Sequence, residues 1–246
     1  MYVSINTAVF LDELQAGISQ LTCLHRLTDY SLDAIEVRGE FFNTATKNAE
    51  LQSIDHLCQQ QNWQFYYSVP EELFQTDKIN PKLTNYLNMA ARNHIKSLKF
   101  SLGDTKQLTT EIIDNLKKQL SATAVQVSIE NQPNQFGTLA NVTQNLTKLA
   151  TTKLGYTFDA GNWCWVDTPP LTAFSDLKAM VTVFHLKKIQ QHDTILLTPE
   201  DVAWQQILAQ LAPTVPVFLE YAIPADQLAT QIKLVDQQLQ QRQATL

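Results

Sequence analysis

Short apolar runs near Val3, Ile35, Phe65, Leu98, Val127, Thr157, Val183 and Phe218 recur along the chain at a period of roughly 30 residues. That period holds one strand, one helix and two connections, the minimum that lets a parallel strand return beside its predecessor. Eight such units close a (β/α)8 TIM barrel, and 246 residues lie close to the usual size of about 250 for that fold. A single α/β domain over residues 1–246 is therefore expected. Helix-like periodicity fills the intervals at 10–26, 51–62, 71–93, 106–120, 138–150, 200–211 and 225–242. Pro199 and Pro224, each followed within two residues by an acid, mark helix starts. The sixth helix is the weak one: 169–178 gives it at most about three turns, and its Pro169-Pro170 pair is expected to cap a loop over the barrel mouth.

Side chains alternate between the two faces of a strand, so each run can be divided into a helix-facing and an interior set. In the fifth run Val125, Val127 and Ile129 face the helices, leaving Gln126, Ser128 and Glu130 inward. The same count sends Thr157 with Asp159, Val183 with His185 and Lys187, and Phe218 with Glu220 into the interior. Glu36 and Arg38 share a face opposite Ile35 and Val37, and Lys99 lies between Ser97 and Ser101 opposite Leu98 and Phe100.

Glu130, Asp159, His185 and Glu220 close four consecutive runs, 29, 26 and 35 residues apart. Only a closed barrel or a comparable parallel sheet gathers residues so spaced at one rim. Interior charges require partners or a metal. Three carboxylates and an imidazole suit one divalent ion, Mn, Co, Mg or Zn, and the absence of cysteine disfavours a soft structural site. Arg38, Lys99 and Lys187 oppose Glu36 and the three acids of this set, a balance that fits an anionic substrate once a dication is added. Glu36, Arg38, Lys99 and Lys187 are read either as substrate contacts or as internal neutralisers, with lysine acting as a point charge. Trp163 and Trp165 offer a lid over a sugar ring or core packing. His25, His56, His94 and His192 fall on helices or loops and are expected at the surface or as caps.

A net charge of −6 and a pI near 5.3 oppose nucleic-acid binding, which needs a basic face. No apolar stretch approaches the roughly 20 residues that a membrane helix requires. The chain enters its first strand without a signal-like segment, and its three cysteines are scattered, so a cytoplasmic protein with reduced thiols is expected. The glutamine-rich stretches QQQNWQ and QQLQQRQ are read as solvated helix faces.

The segments IEVRGE, YYSVPEELF, IEN, FDAGNW, FHLKK and FLEY stand in order on the second, third, fifth, sixth, seventh and eighth runs. In that order and spacing the chain resembles the sugar phosphate isomerase/epimerase family of xylose isomerase-like TIM barrels, over nearly its whole length. The resemblance implies that Glu130, Asp159, His185 and Glu220 hold one divalent metal. It further implies that Glu130 and Glu220 exchange protons with a sugar, sugar acid or sugar phosphate through an enediolate. Family members often form dimers or tetramers. Many carry an aspartate where this chain has Lys188. The ketose 3-epimerases place histidine, arginine and glutamate where Asn162, Gln191 and Phe136 stand here, which weighs against free ketohexoses, although Asn162 can still hydrogen-bond a sugar hydroxyl. An inosose- or dehydroshikimate-type dehydratase and a non-catalytic sugar-binding barrel remain the alternatives. The DNA-repair endonuclease branch, which uses many histidines, fits poorly with five in the chain.

Overall fold

The computed structural model describes residues 1–75, 78–191 and 193–244. Eight parallel strands form the barrel: β1 (Ser4–Asn6), β2 (Ala34–Arg38), β3 (Gln64–Gln75), β4 (Ser97–Gly103), β5 (Gln126–Glu130), β6 (Gly155–Asp159), β7 (Val183–Leu186) and β8 (Val217–Leu219). Each pairs with its sequence neighbour, and β1 pairs with β8 at Ser4↔Phe218 and Ile5↔Leu219, closing the ring. Each apolar run lies on, or directly beside, one of these strands.

The expected alternation is realised as two separate apolar clusters. Ile35, Val37, Leu98, Phe100, Val127, Ile129, Phe158, Phe184, Leu186 and Leu219 join one large core between strands and helices. Ala34, Tyr66, Val183 and Phe218 form a second, small cluster inside the ring. Helices cover the outside by presenting apolar stripes to the first core. Helix Lys47–Gln61 buries Leu51, Ile54, Leu57 and Cys58 and stops at Asn62, whose φ of 57° ends the helical path. Each fully buried leucine or isoleucine there contributes about 1.5–3 kcal/mol. Helix Thr110–Ser121 starts at Thr109, whose hydroxyl accepts from the Ile112 amide.

Three expected elements differ. The stretch 10–26 is not one helix: Gly17, at φ +85°, separates Leu11–Gln15 from Gln20–Leu24, and Ser19 caps the second piece. The helix expected over 71–93 is Leu83–Arg92 alone, because β3 runs on to Gln75 and Lys78–Ile79 folds back against it; Thr76 and Asp77 lie outside the described residues. Glu71 does not open a helix because Lys82, Tyr86 and Asn80 all hold its carboxylate, at 2.7, 2.8 and 2.9 Å. A side chain at Gly103 would meet the Phe74 carbonyl, so glycine there permits β3 and β4 to approach. The short sixth helix is present as Pro170–Leu177, but its Phe174 packs on Phe158 and Phe184, so it lies against the outer wall rather than covering the mouth. Proline in its first turn, where an amide hydrogen is not needed, favours that start. His192 lies outside the described residues. His94 is exposed and meets Asp55. No helix among the described residues is long and apolar enough to cross a membrane.

Candidate metal centre

The carboxyl ends of the strands carry the charges because the interior parity of β2, β4, β5, β6, β7 and β8 brings Glu36, Lys99, Glu130, Asp159, His185 and Glu220 inward in succession. Asp159 and His185 are register partners on β6 and β7, and Phe218, two residues before Glu220, is the partner of His185 on β8. One donor atom from each of Glu130, Asp159, His185 and Glu220 lies within 4.8 Å of all the others. That proximity lets the four groups turn toward one ion. Asp159 Oδ2 and both ring nitrogens of His185 are buried without a hydrogen-bond partner among the described residues. Three carboxylates and an imidazole, with unsatisfied atoms among them, are a donor set that fits a divalent cation.

Cations occupy the remaining space. Lys99 Nζ lies 2.9 Å from Glu130, 3.2 Å from Glu220 and 3.6 Å from Glu36. Lys187 Nζ lies 2.6 Å from Asp159 Oδ2, off the hydrogen-bonding direction, and donates to Glu220 Oε2 at 3.2 Å. Arg38 reaches Glu220 at 3.5 Å and forms a tighter pair with Glu40 at 2.7 Å. His185 turns Nδ1 toward Glu130 and Glu220, both at 3.1 Å, and Nε2 toward Glu36 at 3.3 Å. The imidazole therefore presents one nitrogen to the ligand carboxylates while Glu36 faces the other, the arrangement that orients ligand histidines.

Burial opposes ionisation throughout this cluster, and the neighbours decide the outcome. Burial and Glu220 raise the Glu130 carboxyl, but Lys99 and His185 together outweigh them and hold the group below its usual range. Glu220, facing His185, Lys187 and Lys99, is held further below despite its burial. Asp159 is pushed up to about 7 by burial, with Lys187 pulling the other way and Glu220 and Glu130 adding to the rise. Against burial, Glu220 and Glu36 hold His185 well above the ordinary imidazole range. The carboxylates likewise raise Lys99 and Lys187 against their desolvation, so both stay ammonium ions rather than nucleophilic amines.

Two of the candidate substrate contacts point elsewhere. Trp163 is fully buried and packs on Phe158, so its ring has no face to offer a sugar; the short helix Asn162–Val166 turns it into the outer core and leaves Trp165 exposed. Asn162 donates its amide to the Asn131 carbonyl at 2.9 Å, and its backbone N–H goes to Asp159 Oδ1 at 3.0 Å, so it braces the aspartate. Glu36 is engaged by Asn6 and His185.

Three contributors were not singled out from the sequence. Asn6 donates to Glu36 at 2.8 Å and Glu220 at 3.2 Å. Its signal is the inward parity of a polar residue at the end of β1. Asn131 accepts from the Asp159 backbone and from Tyr156, and its place directly after Glu130 was the available sign. A side chain at Gly161 would run into the stem of Lys187, so this glycine is what lets that lysine lie across the site.

No protein-family model and no curated protein matches the sequence. Solved structures do match its shape. A probable 3-DHS dehydratase, AsbF, from Bacillus anthracis superposes with a TM-score of 0.71 at 16% identity, covering 96% of this chain and 98% of its own. A D-tagatose 3-epimerase-like protein gives 0.68 at 13% identity, covering 100% and 99%. A xylose isomerase domain protein from Alicyclobacillus acidocaldarius gives 0.63 at 15% identity, covering 99% and 98%. The chain shares the TIM barrel fold of these proteins. In such a barrel the carboxyl ends of the strands are where sites are built, and that is where the charged cluster of this chain lies.

Proposed function

We propose that the chain is a divalent-metal-dependent isomerase or epimerase of a small sugar, sugar acid or sugar phosphate. The observation that carries this is the convergence of Glu130, Asp159, His185 and Glu220 at one rim of the ring. Those four residues would hold the ion, Mn, Co, Mg or Zn. A cation there supplies the positive charge that makes a C–H beside a carbonyl acidic enough to lose its proton. Glu130 and Glu220, kept ionised by the cations around them, are carboxylates placed to take that proton and return it. Lys99, Lys187 and Arg38 favour a substrate carrying negative charge. Asn131 and Asn162 keep Asp159 in place, and the apolar layer under His185 excludes water from below. An enzyme of this kind would act in the cytoplasm on a free small carbohydrate, as a monomer or a homodimer or homotetramer.

Incubating the metal-loaded protein with a panel of sugars, sugar acids and sugar phosphates in heavy water tests the proposal. Deuterium is expected beside the carbonyl with no change in elemental composition otherwise, and both Glu130→Gln and Glu220→Gln should abolish it. Full exchange in the two variants overturns the mechanism. A second reading, dehydration, is favoured by the likeness to the probable 3-DHS dehydratase. It uses the same base but expels water, and a product lighter by one water separates it. Ligand binding without turnover across the panel would mark a non-catalytic sugar-binding barrel.

A further inference from the structure

We propose that Lys187 is a built-in place-holder for the metal, its ammonium seated between Asp159 and Glu220 and leaving when a divalent ion loads. This rests on the metal-site reading above. Lys187 Nζ is 2.6 Å from Asp159 Oδ2 and 3.2 Å from Glu220 Oε2, and Oε2 is also the oxygen that faces His185 Nδ1, at 3.1 Å. The ammonium thus contacts two of the four candidate ligands and shares Glu220 Oε2 with a third. Lys99 also meets two of them, Glu130 and Glu220, but it reaches Glu220 through Oε1, the oxygen that Asn6 and Arg38 also engage, and its contacts do not include Asp159.

The two lysines also differ in their freedom to move. Lys99 projects from the middle of β4 and is enclosed, with its side chain 7% exposed. Lys187 follows the last residue of β7, keeps 15% of its side chain exposed, and lies with its stem across Gly161 where no side chain holds it down. An outward rotation of that stem takes the ammonium to water. Charge favours such a movement. Asp159 and Glu220 are buried, and a dication would compete with the Lys187 ammonium for these same two carboxylates while repelling it at close range.

Mn²⁺ binding to the purified metal-free protein, followed by electron paramagnetic resonance, provides the test. Lys187→Met should bind Mn²⁺ at least about tenfold more tightly than wild type, because the ion no longer has to displace an ammonium from Asp159 and Glu220. The metal-free variant should melt at a lower temperature and recover on loading. A second measurement needs no variant: pulse acetylation of the wild-type protein, read by mass spectrometry, should leave Lys187 protected without Mn²⁺ and modified with it, while Lys99 stays protected in both. Wild type that binds Mn²⁺, with the variant binding no more tightly and Lys187 equally protected throughout, overturns the place-holder and leaves the metal site standing. Failure of wild type and of a folded Lys187→Met protein to bind Mn²⁺ removes both.

Discussion

Toward the amino ends of the strands, Tyr66 and Phe218 meet edge to face at 5.1 Å beside Ala34 and Val183. Two residues further along, β2, β7 and β8 carry Glu36, His185 and Glu220 instead. One step of the pleat on the same inward face separates an apolar floor from a cluster of charges. The layers depend on each other. The Phe218 ring stands 5.6 Å from the His185 ring, and a floor without water keeps the field of each carboxylate and ammonium strong. Below the floor the barrel opens into a cavity of about 450 Å³ lined by Lys96, Gln126, Lys153 and Thr182 among others. At the opposite end lysine stems fill the comparable space. Polar residues line both ends, but only one end has its cations pressed onto carboxylates.

If that difference is functional, substitutions at the two ends should separate cleanly. The largest effect is expected from Glu220→Gln, which should lower proton exchange by about 10²–10⁴-fold once a substrate is found; a rate near wild type would break the assignment of the upper end as the reactive one. Phe218→Ala should destabilise the protein by about 3–5 kcal/mol in urea unfolding and also weaken Mn²⁺ binding, since water would reach the ligands from beneath. Unchanged Mn²⁺ affinity would mean that the floor is filler alone. Asn6→Ala removes one donor from each of buried Glu36 and Glu220 and should lower stability by about 1–3 kcal/mol, measurable in the same titration. Lys96→Ala, at the lower end, should change stability by about 0.5 kcal/mol or less and leave turnover and Mn²⁺ binding alone; a loss of either would bring the lower cavity into the functional account.

How much was legible in the sequence follows the same division. Strand parity depends on local alternation, so the inward course of Glu130, Asp159, His185, Glu220, Lys99 and Lys187 could be read from five short runs. Contacts across the ring could not. Asn6 reaches Glu220 over 214 positions, and nothing near residue 6 announces that partner. Trp163 follows the aspartate by four residues, but the turn through Asn162–Val166 rather than strand alternation sets its direction. The stretch after β3 misled for a related reason. EELF has the composition of a helix start, and its fate was settled by Lys82, Tyr86 and Asn80 gripping Glu71 from downstream and by the space that Gly103 leaves.

The two hydrogen bonds of Asn6 have a consequence for how the protein is made. They join the first strand to Glu36 and to Glu220, across the seam where β1 meets β8. A ribosome delivers β8 after the other seven strands, so a nascent chain can hold most of the wall while the charged rim still lacks Glu220. The rim is therefore completed in one late event, when β8 docks against β1, and a chain stalled before β8 has no closed ring.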